Sequence, residues 1–242
     1  MSLEQVLRIA VVGAGSRGTA HLDTISRLPD LYRLVAVCDA REERRQAAAA
    51  RFGAPVFDHP LAMLDAVRPD VVFVIVPPDA HHIITRAAAA RGCHVISETP
   101  IATTLSMADD MIESAQRHRV KLEVAENVWR WPAERLKRRI VEEGLIGRVT
   151  QAHLWYRSGS YHGMNAIRRF ITSEPQRVMG FAQRVEVEPY VDLLGERQTT
   201  LPWELGVIEF RGGERCVYQL PAGIDRGNHW EIAGTRGALM GN

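Results

Sequence analysis

Leu7-Arg8-Ile9-Ala10-Val11-Val12-Gly13-Ala14-Gly15-Ser16-Arg17-Gly18 is the stretch on which the fold turns. Its first half is a short, β-branched apolar run of the kind found in a buried strand, and its second half is spaced G-x-G-x-x-G. Ala20, Leu22, Ile25 and Leu28 then recur at roughly helical spacing until Pro29-Asp30 breaks the pattern. Strand, glycine turn and helix in that order form a cradle for a pyrophosphate. Gly13 permits the tight turn, Gly15 lets backbone approach the phosphates, and Gly18 lets the helix pack closely on the strand. The helix N-terminus adds unpaired N–H groups and the positive end of its dipole, so Ser16 and Arg17 join the glycines as candidate cofactor contacts.

Outward from this unit, apolar strands alternate with alanine-rich helices. Strands are expected at residues 34–38, 55–57, 71–76, 94–97 and 121–125, and helices at 42–51, 61–67, 80–91 and 105–118. The run Val71–Val76 is continuously apolar, as in a parallel strand covered on both faces. After about Asn127 the rhythm changes: a helix at 135–143 precedes strand-like runs at 148–156, 177–187, 203–210, 215–220 and 228–233. Gly212-Gly213 reads as a hairpin turn between two of them. The expected class is α/β. Residues 1–127 form a doubly wound parallel-sheet (Rossmann) domain, and residues 128–242 form an α+β domain on a largely antiparallel sheet.

Composition narrows the function. The chain has 242 residues, with 30 Lys+Arg against 29 Asp+Glu, so no basic surplus points to nucleic acid. Cys38, Cys93 and Cys216 are widely spaced with no CxxC pair, which gives no metal or redox motif and suits a reducing cytoplasm. No signal-peptide pattern opens the sequence and no apolar run is long enough to span a bilayer, so no membrane partner is expected. Only Lys121 and Lys137 are lysines, leaving 28 of the 30 basic residues as arginine.

Further candidates follow from position. Asp39 ends the second strand 21 residues after Gly18, the offset of an acid that accepts hydrogen bonds from the adenosine ribose. An acid here favours NAD over NADP, although Arg41, Arg44 and Arg45 could offset its charge toward a 2′-phosphate. Ala40 and Arg41 flank the same site. Val76-Pro77-Pro78 and His81 lie where the fourth strand hands over to its helix, at the switch point where such sheets bind ligands. His81 is expected to cap the helix or line the ligand, with an ordinary surface position as the alternative.

Together with Val95-Ile96-Ser97-Glu98-Thr99-Pro100, the stretches AVVGAGSRG, VAVCDA, VPPDAHH and EEGLIGRV resemble the Gfo/Idh/MocA family of glucose–fructose oxidoreductase and inositol dehydrogenase. The resemblance runs from Leu7 to about Val149 and more loosely to Gly237. It implies an NAD(P)-dependent oxidoreductase acting on a sugar, polyol or related compound, and a homo-oligomer formed through the C-terminal sheet. It also implies a role near the nicotinamide for Glu98 and for the next residue, which is lysine in the family's Glu-Lys-Pro motif and Thr99 here. The proline of that motif usually follows a cis bond. The family's aspartate–histidine motif finds its nearest match at Ser158 to Asn165, with His162 as acid–base, Tyr161 and Asn165 as hydrogen-bonding partners, and Ser158 where the acid would stand. His162 as an ordinary surface histidine is the competing reading. Asn127 and Arg130 match a segment lining the nicotinamide end. Arg168 and Arg169, expected on the same helix as His162, could bind an anionic substrate group or form a solvated basic face. The resemblance also implies helices beyond Asn242. Without the lysine and the aspartate, a dinucleotide-binding sensor with no turnover is the alternative function. A methyltransferase fits the C-terminal strands poorly.

Overall fold

The computed structural model describes residues 6–155, 160–191, 197–220 and 229–241. The chain divides into two compact units, Met1–Glu126 and Asn127–Asn242.

In the first unit, β1 (Leu7–Val12), β2 (Tyr32–Cys38), β3 (Val56–Phe57), β4 (Val71–Val74), β5 (His94–Ser97) and β6 (Leu122–Val124) form one sheet in the order β3-β2-β1-β4-β5-β6. Every pairing is parallel. The helices α1 (Ser16–Ser26), α2 (Glu42–Phe52), α3 (Pro60–Val67), α4 (Pro78–Ala89) and α5 (Leu105–Arg117) alternate with the strands. Side chains alternate across a strand, and both faces of this sheet are covered. Ile9, Val11 and Val37 pack with Leu22 and Ile25 of α1 and Ala48 of α2. Ala10, Val12, Ala36 and Cys38 pack with Met63 and Leu64 of α3 and Ile84 and Ala88 of α4. Small alanines on these helices allow close approach to the sheet. The strand order reverses between β1 and β4, which puts the glycine turn at the switch point.

The junction between β4 and α4 differs from expectation. β4 ends at Val74 rather than Val76, and α4 begins at Pro78 with Pro77 at its N-cap. A proline has no N–H to give a sheet, and its fixed φ suits the first turn of a helix.

In the second unit, a 3₁₀ turn (Val128–Arg130) leads into α6 (Pro132–Glu142), β7 (Val149–Trp155) and α7 (Ser160–Ile167). The strands β8 (Pro175–Val191), β9 (Arg197–Phe210), β10 (Arg215–Leu220), β11 (His229–Gly234) and β12 (Ala238–Gly241) follow. The sheet order is β12-β11-β7-β10-β9-β8, and only the β7–β10 pairing is parallel among the described strands. Its core joins Ala152, Leu154, Cys216, Trp230 and Ile232 of the sheet to Ala166 and Ile167 of α7 and Ile140 and Val141 of α6. Arg168 and Arg169 lie beyond the end of α7, not within it. Arg168 folds back onto the carbonyls of Ile171, Thr172 and Ser173 and so is consumed in closing that turn.

The basic run of α6 (Arg135, Lys137, Arg138, Arg139) does not all face outward: Lys137 is 7% exposed, donates to Glu134 Oε1 at 2.9 Å, and lies 4.5 Å from the Trp230 ring centroid. Lys137 shares a helix face with Ile140 and Val141, three and four residues on, and is drawn inside with them.

All three cysteines are buried and free. Burial pushes the Cys38 thiol up to about 11, with Asp39 and Asp58 adding to it, and burial pushes Cys216 up to about 12. Neither is a reactive thiol at neutral pH. Among the described residues no helix is long and apolar enough to cross a membrane, and no cluster of three metal-ligating side chains occurs.

Candidate dinucleotide site

The three glycines of the turn do different work. Gly13 has φ +101°, and a Cβ there would lie 1.9 Å from the Ile75 carbonyl oxygen. A Cβ at Gly18 would lie 1.9 Å from the Gly13 carbonyl oxygen, so α1 approaches the turn as closely as the fold allows. Gly15 is unlike both. A Cβ there would meet only the end of the Arg44 side chain, 3.3 Å away. Protein packing therefore demands glycine at 13 and 18, whereas at 15 glycine keeps the backbone bare beside open space. α1 starts there with no side-chain cap and no acid in its first turn. Its orphan N–H groups and dipole favour an anion.

Asp39 closes the turn from β2. Its Oδ2 accepts from Ala14 N at 2.8 Å and its Oδ1 from Arg41 N at 2.9 Å, so a buried carboxylate fixes both the glycine loop and the start of α2. The Arg44 guanidinium lies 3.7 Å from Oδ2. Arg45 is spent on the carbonyls of Asp39 and Ala40. A cleft of about 370 Å³ opens here. Of the sequence candidates, it brings together Gly13, Gly15, Asp39, Ala40, Arg41, Val76 and Pro77. The bare Gly15 backbone, the uncapped helix and the acid at the end of β2 fit the phosphates and ribose of a dinucleotide.

Glu98, at the end of β5, is tied to α1. Its Oε1 lies 2.7 Å from Arg17 Nε and 2.8 Å from His21 Nε2; its Oε2 accepts from the Thr99 N–H at 2.8 Å and from Thr99 Oγ1 at 3.2 Å. Burial alone would raise its pKa. The hydrogen bonds from His21, Thr99 and Arg17, with the Arg17 charge, reverse that and hold the carboxyl at about 2. Arg17 and Glu98, two separate candidates in the sequence, are thus partners of each other. His21 was not anticipated. The available signal was its place four residues after Arg17 on one helix face. The Thr99–Pro100 peptide is cis, as the motif implies.

His81 differs from both readings of the sequence. It is fully buried, with Nε2 2.8 Å from the Val76 carbonyl oxygen and Nδ1 3.1 and 3.2 Å from those of Pro100 and Ile101. It braces the loop after β4 against the loop after β5, and no part of its ring is left for a ligand. In the second unit, Tyr161 and His162 sit on α7 with ring centroids 4.3 Å apart, Tyr161 exposed and His162 and Asn165 half-buried. Asn127 is exposed and its carbonyl accepts from Arg130 N. Ser158 lies outside the described residues. Lys121 and Lys137 do not replace the motif's lysine: Lys121 precedes β6, exposed, and Lys137 is held by Glu134.

Fold and turn together define a nucleotide-binding Rossmann unit. Residues 7–126 match the oxidoreductase family with an NAD-binding Rossmann fold, and the chain belongs to this family, Gfo/Idh/MocA. It is 43% identical over 113 residues to the D-glucoside 3-dehydrogenase of Escherichia coli, covering 46% of this chain and 32% of that protein. It is 30% identical over 157 residues to the inositol 2-dehydrogenase 2 of Saccharopolyspora erythraea, covering 64% and 46%. The scyllo-inositol dehydrogenase of Lactobacillus casei, solved with NAD(H) and scyllo-inositol, shares the fold with a TM-score of 0.85 at 21% identity, over 98% of this chain and 76% of that one. The match therefore spans about a third to a half of the length of these curated relatives.

Proposed function

We propose that the chain is an NAD(P)-dependent oxidoreductase that moves a hydride to or from a sugar, polyol or related hydroxyl or carbonyl compound. The observation that carries this reading is the bare Gly15 backbone at an uncapped helix start, beside an acid that anchors the same loop. The names of the relatives, a D-glucoside and an inositol dehydrogenase, support the substrate class. NAD is favoured over NADP, because each Asp39 oxygen keeps a lone pair for a ribose hydroxyl while its charge opposes a 2′-phosphate.

A bound dinucleotide would supply or accept the hydride; the chain contributes position and a proton. Thr99 gives its own hydroxyl proton to Glu98, so toward a substrate its oxygen is an acceptor, suited to holding an alcohol O–H. Its neighbour Glu98, at a pKa of about 2, is too weak a base to take that proton. The acid–base role is assigned to His162 on the family resemblance alone, with Tyr161 and Asn165 on the same helix, α7, and Arg130 as a substrate contact.

The test is a nicotinamide absorbance assay over a panel of sugars and polyols, alongside NADH and NADPH titrations. Turnover is expected, falling about 10²- to 10⁴-fold in His162→Ala. Dinucleotide binding with no turnover across the panel would instead support a sensor, a reading favoured by Thr99 standing in the lysine position. Thr99→Lys is expected to raise the rate; no gain would mean that more than the lysine has diverged.

We also infer a homo-oligomer formed through the second sheet. β8 is an edge strand that exposes Val178, Met179 and Phe181, each above 60%. Exposed apolar edge strands are normally covered or charged. Sedimentation should give a mass above the monomer, and Phe181→Asp should shift it downward.

A further inference from the structure

One carboxylate in the cleft of the first unit has no part in anchoring the glycine loop. Asp58 lines that cleft together with Asp39, Arg41 and Arg44. β2 and β3 pair in parallel with Cys38 beside Phe57, and the Asp39 N–H donates to the Phe57 carbonyl at 3.1 Å. Asp39 and Asp58 are therefore the next residues of two adjacent strand ends. With the sheet order β3-β2-β1, the glycine turn, Asp39 and Asp58 stand in a row across three neighbouring strands, each step about 4.8 Å. Asp39 is buried and committed to two backbone N–H groups. Asp58 is exposed, and among the described residues its carboxylate takes part in no hydrogen bond or ion pair. The capping of α3, an ordinary task for an aspartate just before a helix, belongs to His59, whose Nδ1 accepts from the Leu61 N–H at 3.3 Å. The charge of Asp58 still reaches into the cleft, where it adds to the rise of the Cys38 thiol. Cys38, Pro60, Val76, Pro77 and Ile84 give the same cleft apolar walls.

The AMP half of a dinucleotide presents phosphate, ribose and base in that order. The row of strand ends offers a bare backbone turn, a ribose acid and a further acceptor in the same order. A purine has apolar faces and a polar edge, so it suits a slot with apolar walls and a single polar group at its margin. An ionised carboxylate only accepts: it pairs with an amino group and is left unpaired against a carbonyl. We infer that Asp58 reads the base, its carboxylate accepting from the exocyclic amino group of adenine, so that the cleft selects an adenine dinucleotide over one whose base carries a carbonyl at that position. This rests on the dinucleotide reading of the cleft and adds to it a residue that specifies the base.

Fluorescence titration of the full chain with NADH and with its deamino analogue, reduced nicotinamide hypoxanthine dinucleotide, tests it. NADH is expected to bind about tenfold tighter than the analogue. Asp58→Ala should weaken NADH by about the same factor and bring the two ligands level. Asp58→Asn, whose amide can donate to a carbonyl, should bind the analogue at least as tightly as NADH. Thermal melts of both variants should match the wild type, because Asp58 is exposed and holds no neighbour. Equal affinity for the two ligands in the wild type would make Asp58 a solvated carboxylate only. That result, or a preference for NADH that persists in both variants, would overturn the inference and leave the dinucleotide reading standing. Binding of neither ligand would overturn both.

Discussion

Gly13→Ala is expected to destabilise the first unit by about 2–6 kcal/mol and to abolish dinucleotide binding. Two costs add. A Cβ at φ +101° is strained, worth about 1–3 kcal/mol. It would also stand 1.9 Å from a backbone oxygen of the β4 loop, which can yield only by moving the strand end, about 1–3 kcal/mol more. Gly15→Ala in the same turn is the control, because its Cβ meets only a flexible arginine tip. That variant should keep its stability within about 1 kcal/mol and lose at least tenfold in NADH affinity. Urea unfolding and fluorescence titration of both variants separate the roles. Equal stability losses in the two would show that the turn is held by something other than the β4 contact.

Glu98→Gln should cost about 2 kcal/mol at pH 7, and the loss should shrink as the solution is acidified. The carboxyl has a folded pKa of about 2 against an ordinary value of 4.5. A lowered acid pKa contributes stability that is fully present above about pH 4.5 and disappears as pH falls toward 2. The difference between wild type and variant isolates this one group from every other titrating carboxylate. Urea titrations at pH 7 and pH 3 give the two points. A difference that stays constant between them would mean that the charge of Glu98 contributes nothing and only its shape matters.

The first unit was legible because its signals are local. The β1 run, three glycines and Asp39 sit within 33 residues, and alternation along the strands announces a sheet covered on both sides. The Arg17–Glu98 pair was not legible as a pair: its members stand 81 positions apart and meet only because strand order brings β5 to the switch point. Helix periodicity could have placed Lys137 inside; the surrounding arginines masked it. β8 runs Pro175–Val191 where 177–187 was expected, and β9 starts at Arg197 where 203 was expected. A strand exposed along almost its whole length carries little hydrophobic alternation to mark its ends. β12 was missed for its brevity, four residues after a turn.

The fate of the two lysines has a practical side. With Lys137 buried in its pair with Glu134 and Lys121 exposed before β6, the described residues hold one lysine side chain open to an amine-reactive dye. Such a reagent, controlled with Lys121→Arg, would place a single side-chain fluorophore in the first unit. The tryptophans, Trp129, Trp131, Trp155, Trp203 and Trp230, all belong to the second. Energy transfer from them to that one dye is then a ruler between the two units, obtained without introducing a cysteine.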